Sequence, residues 1–262
     1  HKNPRMKSDN DLISASLKIL KSEKSFFRIF SFPWQAVRGR GELSWLPSTD
    51  SAGEAIPCYN KTEVITMGKT WDKNQITAIH CFGDSLTEGY GVGQGEGWVD
   101  LLGKRMKSIS FYNHGVCGAL AVDILDSLFE ASFRPEEGEA FFFMAGTNDI
   151  LTGLQLSVLE RDVSRGIRSM ARAIPLTLGI PPQTTANSIE TGWQAAYVYE
   201  RNRKDLAEYA RFLRNLAEDE GIPSIDFFRG LPADDRWFTD GVHPNSKGYD
   251  KMAQLAMKVW KK

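Results

Sequence analysis

From residue 76 onward, short uninterrupted apolar runs alternate with longer stretches in which apolar residues recur every three or four positions. An uninterrupted run suits a strand buried on both faces, and the three-to-four spacing suits a helix that buries one stripe. Five runs fit the first description, at residues 76–82, 110–112, 140–144, 176–180 and 224–228. After Tyr199, the residues Leu206, Tyr209, Ala210, Leu213, Leu216 and Ala217 share one helical face while Arg211, Arg214 and Glu218 face water, and Gly221 stops the helix. The last stretch follows the same rule: Asn245 or Ser246 caps a helix whose Tyr249, Met252, Ala253, Ala256, Val259 and Trp260 form the buried face. The alternation predicts an α/β domain, a parallel five-stranded sheet wrapped by helices.

The first 75 residues do not share this alternation, so the chain is expected to divide into an N-terminal extension, 1–75, and a domain over 76–262. Residues 12–30 have the spacing of an amphipathic helix, residues 33–60 are rich in turn formers, and residues 64–67 suit a strand. The aromatic residues between Phe26 and Trp45 favour packing against a core, since soluble chains bury such side chains. A membrane surface, a partner or a second copy of the chain, giving a homo-oligomer through this region, would also accept them.

Length and charge narrow the functional classes. With 262 residues, 42% apolar and 25% charged, the chain is long enough for one full core and an appendage. The net charge of -1 conceals 12 Lys/Arg against 8 Asp/Glu over residues 1–75, and 20 against 25 over residues 76–262. No dense basic stripe results, which argues against nucleic acid as a partner. No apolar run reaches the roughly 18 to 20 residues of a transmembrane segment. Because the chain begins at His1, a removed leader stays open, and with it the choice between cytoplasm and export. Three cysteines without a CxxC pair give no disulfide framework or metal site; Cys81 and Cys117 read as small buried thiols, and Cys58 has no assignment.

In an open parallel sheet, ligands bind outside the carboxyl ends of the strands. The first run leads into GDSLTEGYG with Ser85, the second into NHGVCG with Gly115, and the third into GTND with Asn148, while DGVHPN, starting at Asp240, precedes the last helix. Ser85 alone reads as a helix cap. A nucleophilic serine needs a base to take its proton and a third group to orient that base. Asp240 and His243, three residues apart in a loop tightened by Gly241 and Pro244, supply both roles. An oxyanion developing on the attacked carbonyl would need donors, for which the Ser85 N–H, the N–H of Gly115 and the side-chain amide of Asn148 are available. Each loop taken singly is a turn; together they make an acyl-transfer site.

These four segments, in this order, resemble the GDSL or SGNH hydrolase family over roughly residues 76–262. The resemblance implies a three-layer α/β/α sandwich with a flavodoxin-like sheet, hydrolysis of a small-molecule ester or thioester, and no cofactor or metal. By matching position it makes Ser85 the nucleophile and first oxyanion donor, Gly115 and Asn148 the other donors, Asp240 the orienting acid and His243 the base. Tyr90 and the glycines after Ser85, followed by Trp98, are similar to the branch holding small esterases, thioesterases and lysophospholipases. Acetylated sugars, lysophospholipids and thioesters are all compatible substrates. An acyltransferase with the same nucleophile, and a binding module without turnover, are the alternatives.

Four further residues and one segment have competing roles. His114 is a rival base, but with no carboxylate at fixed spacing it is expected to be a loop side chain at the rim. His80 is expected to be a satisfied core histidine, and Asp84 and Asp149 to hold loops through backbone N–H groups. Residues 181–196, including Trp193, are expected to line one wall of the cleft.

Overall fold

The computed structural model describes residues 75–132 and 135–261 throughout, together with the backbone of two strands nearer the N-terminus. The chain divides into two compact units, His1–Thr66 and Met67–Lys262. In the first, β1 (Trp34–Gly39) pairs antiparallel with β2 (Glu42–Pro47), Trp34 opposite Pro47 and Gly39 opposite Glu42. A hairpin therefore stands where turn formers alone were expected: Trp34, Val37 and Trp45 favour strands, and two intervening residues are the commonest hairpin length. The expected helix over 12–30, the strand over 64–67, Cys58, and the fate of the side chains between Phe26 and Trp45 lie outside the described residues.

In the second unit, β3 (Ala78–Gly83), β4 (Ser110–Gly115), β5 (Glu139–Met144), β6 (Leu176–Ile180) and β7 (Ser224–Asp226) form one parallel sheet in the order β4-β3-β5-β6-β7. This is the flavodoxin-like order. Its helices are α1 (Ser85–Glu88), α2 (Trp98–Arg105), α3 (Ala121–Ala131), α4 (Thr147–Leu151), α5 (Leu156–Ala171), α6 (Asn187–Glu190), α7 (Ala196–Asp219), α8 (Phe227–Gly230) and α9 (Ser246–Trp260). Side chains of β5 alternate between two cores. Phe141 and Phe143 join Leu128 of α3, Val163 of α5 and Leu213 of α7, while Ala140, Phe142 and Met144 join Trp98 and Leu102 of α2 and Met252 of α9. The sheet is thus covered on both faces, the three-layer sandwich expected, and a one-residue slip of β5 would exchange the two sets.

Element limits differ from expectation in two instructive places. The second strand runs on to Gly115 instead of ending at Tyr112, because β4 is an edge strand and leaves Asn113 and His114 exposed, so it tolerates polar side chains on both faces. The fifth strand ends at Asp226, not Phe228, because the Asp226 carboxylate accepts from the Arg229 N–H at 2.9 Å and starts α8. The last helix uses Asn245 as its cap, with Oδ1 accepting from the N–H groups of Lys247 (3.0 Å) and Gly248 (3.1 Å). Cys81 is buried as expected; Cys117 is exposed, since the turn that carries it lies beyond the sheet edge. No helix among the described residues is long and apolar enough to cross a membrane.

The chain runs from β3 out to the edge at β4 and then back across to β5 on the other side of β3. Successive connections therefore diverge around β3, and a crevice opens at the carboxyl ends of these strands. Ser85, Gly115 and the 146–148 turn all lie there.

Candidate active site

The turn carrying Ser85 is held on three sides. Asp84, not Ser85, caps α1: its Oδ1 accepts from the Leu86 N–H at 2.9 Å, and its carbonyl accepts from Thr87 and Glu88, both at 3.0 Å. From below, the buried Trp98 donates its indole N–H to the Leu86 carbonyl at 3.0 Å. From the sheet edge, Asn113 Nδ2 donates to the carbonyls of Thr87 (3.0 Å) and Glu88 (3.2 Å). Gly115 makes that approach feasible, because a Cβ there would lie 2.2 Å from the Glu88 nitrogen. Ser85 is then the first helical residue, with its hydroxyl unused by the cap and its N–H among the first-turn donors that have no intrahelical acceptor.

The 240–243 loop brings a histidine to that hydroxyl. Ser85 Oγ lies 2.9 Å from His243 Nε2, and His243 Nδ1 lies 2.8 Å from Asp240 Oδ2. An ionised carboxylate only accepts, so Nδ1 carries the ring proton and Nε2 is left to accept from the serine. Ser85 and His243 are 4% and 2% exposed, which shields this chain of hydrogen bonds from competing water. Burial pushes the Asp240 carboxyl up, but the His243 N–H, its ring and the Val242 N–H pull harder and hold it below the usual carboxylate range. Two aromatic rings flank the imidazole: Tyr90 at 4.4 Å between centroids and Trp193 edge-on at 4.7 Å.

The other two expected donors converge on the same rim, each with an acceptor of its own. The Gly115 N–H donates to Asn113 Oδ1 at 2.9 Å, and Gly115 itself ends a strand instead of lying in a loop. Asn148 Nδ2 donates to the Ala119 carbonyl at 3.0 Å, which spends one of its two hydrogens and fixes the amide at the start of α4. Beside α1 opens a cleft of about 510 Å³, lined by the 88–95 loop together with Asp100, Asn113 and Gly115.

Asp84 and Asp149 do hold backbone N–H groups, Asp149 through both oxygens to Ala121 (3.3 and 3.0 Å) at the start of α3. Burial pushes the Asp84 carboxyl up to about 7, opposed by the Leu86 N–H and assisted by the charge of Asp149; Asp84 Oδ2 has no partner among the described residues. Burial likewise pushes Asp149 up to about 6. The folded chain therefore keeps protons that the unfolded chain loses near about pH 4, and stability present in acid declines as pH rises through the two folded values. Asp84→Asn retains an oxygen for the Leu86 N–H but cannot ionise. It is expected to lose less stability than the parent between about pH 5 and about pH 8, measured by urea unfolding; equal losses would show that Asp84 is not the titrating group.

The remaining histidines are placed elsewhere. His114 lies in β4, where its ring stacks on Phe82 at 4.4 Å and meets His80 Nδ1 at 2.9 Å. It is a strand residue and not a loop side chain, because β4 continues through it to Gly115. His80 is satisfied, with Nε2 reaching Glu139 Oε1 at 3.3 Å, but it is only partly buried, as β4 beyond it is the sheet edge. Burial and then the neighbouring His80 hold the His114 imidazole below its ordinary value. Among the described residues no group of three or more His, Cys, Asp or Glu side chains is arranged to hold a metal ion.

Trp193 is the residue whose place the sequence least reveals. The sequence places it in the cleft wall; in the structure its ring lies 4.7 Å from the His243 imidazole, and its indole N–H donates to Asp240 Oδ2 at 2.7 Å. Forty-seven residues separate the two, so no local spacing signals the pair.

Residues 81–251, well over half of the chain, match the GDSL-like lipase/acylhydrolase family. A lipolytic protein of the G-D-S-L family from Veillonella parvula DSM 2008 is 26% identical, with a TM-score of 0.62 over 71% of this chain and 99% of its own. The psychrotrophic esterase EstA from Pseudoalteromonas sp., in a structure inhibited by monoethylphosphonate, shares the fold at 20% identity, with a TM-score of 0.54 over 71% of this chain and 97% of its own. The uncharacterized protein YpmR of Bacillus subtilis strain 168 is 25% identical over 219 residues, 70% of this chain and 81% of YpmR. The match to the family covers the serine turn, the strand ends around it and the histidine loop alike, and the chain belongs to the GDSL-like lipase/acylhydrolase family.

Proposed function

We propose that the chain is a serine esterase that hydrolyses small carboxylic esters through an acyl-enzyme, with Ser85 as nucleophile, His243 as base and Asp240 as its orienting partner. One observation carries this reading: the buried, unbroken hydrogen-bond chain from Ser85 Oγ through His243 to Asp240, with steps of 2.9 and 2.8 Å. As Ser85 Oγ bonds to the acyl carbon, its proton passes to His243 Nε2, and the imidazolium then hands that proton to the departing alkoxide. Water enters, gives a proton to Nε2 and attacks the acyl-enzyme, and the Ser85 oxygen recovers the proton as the acid leaves. The carbonyl oxygen becomes negative at each attack. The Ser85 N–H and the second Asn148 hydrogen are the donors with least to give up for it, whereas the Gly115 N–H must be shared with Asn113 Oδ1.

A fluorophosphonate probe tests the reading, because it reacts rapidly only with an activated serine. Stoichiometric labelling of Ser85, located by mass spectrometry and absent from Ser85→Ala, is the expected result. Labelling at another residue, or none, would remove Ser85 from the role and favour a binding module. Product analysis with added alcohols then separates hydrolysis from acyl transfer. A panel of acyl chain lengths, thioesters, lysophospholipids and acetylated sugars assigns the substrate.

A further inference from the structure

The Asp240 carboxylate receives four hydrogen bonds, and one of them comes from outside its own loop. Oδ1 accepts from the N–H groups of Val242 (3.0 Å) and His243 (2.8 Å). Oδ2 accepts from His243 Nδ1 at 2.8 Å and from the Trp193 indole at 2.7 Å. We propose that Trp193 is a positioning residue for the Ser85–His243–Asp240 chain, orienting Asp240 through its N–H and walling the imidazole with its ring. This rests on the serine-esterase reading above.

Three observations support the role. First, Trp193 and the imidazole share one carboxylate oxygen, so the indole fixes where the lone pairs of Oδ2 point and draws charge from the atom that faces Nδ1. The oxygen so fixed is the one that accepts from Nδ1, and this keeps Nε2 turned toward the Ser85 hydroxyl. Among the described residues, the other side chains against the ring are Ser85, Tyr90 and Trp193, a hydroxyl, a phenol and an indole, and Asp240 is the charge that faces it. Second, His243 is 2% exposed although Trp193 is 40% exposed: the indole stands between the histidine and solvent, and Tyr90 meets it edge to face at 6.1 Å.

Third, the segment carrying Trp193 is clasped to the histidine loop by further bonds. Thr191 Oγ1 donates to the Asp240 carbonyl at 2.7 Å and the Thr185 N–H to the Gly241 carbonyl at 2.8 Å. Gly241, at φ +85°, admits this contact because a Cβ would lie 2.2 Å from the Ser188 nitrogen. Next to Trp193, the buried Gln194 donates to Ser188 Oγ at 2.7 Å and accepts from Asn202 Nδ2 of α7 at 3.0 Å. These bonds fix the backbone that carries Trp193 relative to the Asp240 loop.

Trp193→Phe keeps an aromatic ring and removes the N–H. It is expected to lower kcat about tenfold, the scale of one hydrogen bond to a charged group, with KM nearly unchanged. The acidic limb of kcat/KM against pH is expected to move to higher pH, because the freed Oδ2 holds the imidazolium more tightly. Replacing the indole by its benzothiophene analogue, which substitutes sulfur for the N–H at nearly constant shape, should reproduce both changes, and it stands in for the phenylalanine variant should that one fold poorly. If either folded variant leaves kcat and the acidic limb unaltered, whatever happens to KM, Trp193 merely lines the cleft and the proposal is overturned. Ser85→Ala, assayed alongside, separates the two levels. Inactive Ser85→Ala with an unaffected Trp193→Phe rejects the tryptophan role alone, while an active Ser85→Ala rejects the esterase reading on which it rests.

Discussion

Ser85→Ala is expected to lower kcat on a short p-nitrophenyl ester by about 10⁴-fold or more, leaving only what binding and the oxyanion donors contribute. The loss should fall on kcat, because the hydroxyl forms its bond to the acyl carbon only during the reaction. The fold should survive. Helix α1 is capped by Asp84 and tied down by Trp98 and Asn113, none of which uses the Ser85 hydroxyl. Thermal unfolding and far-UV circular dichroism check the second expectation, steady-state kinetics the first. A folded variant that retains more than about a tenth of the parent kcat would remove Ser85 from the chemistry, since so small a loss is the scale of a single contact.

The second large effect concerns the base. His243→Ala is expected to cost about as much as Ser85→Ala, and the double variant no more than either single one, because a serine without its proton acceptor is nearly as inert as no serine. Asp240→Asn keeps the shape of the side chain but cannot accept from Nδ1 as a carboxylate does, and about 10⁴-fold in kcat is at stake where the imidazole is then held in the wrong tautomer. Kinetics of the two single variants and the double variant decide the matter. Losses that multiply would mean that the hydroxyl and the imidazole act independently, contrary to the 2.9 Å contact between them. His114→Ala supplies the contrast: with its ring engaged by His80 and Phe82, its loss should leave kcat near that of the parent.

The residues expected to react sit on turns at three strand ends and one loop. Rigid neighbours hold those turns: Trp98 beneath α1, Asn113 at its end, Asp149 across to α3. A side chain held by several partners gives up little further freedom in the reacting geometry, which is how positioning lowers a barrier. The cost is borne in carboxyls such as Asp84, which are buried with incomplete partners and so prefer to stay protonated.

Much of this was open to sequence reading because it depends on near neighbours. Apolar runs and the three-to-four spacing located the strands and helices of the second unit, since burial on two faces or one imposes those periods directly. Asp240 and His243 are three residues apart, a distance that a turn spans by itself. What only the tertiary structure decided involves residues far apart in the chain. That β4 continues through Asn113 and His114 follows from its place at the sheet edge; that one Asn148 hydrogen is already taken follows from the Ala119 carbonyl 29 residues away; and that Trp193 meets Asp240 follows from two segments 47 residues apart being folded against each other. The physical reason is the same in each case: periodicity and spacing record the forces along a chain, whereas a hydrogen bond between distant segments depends on packing that no local pattern encodes.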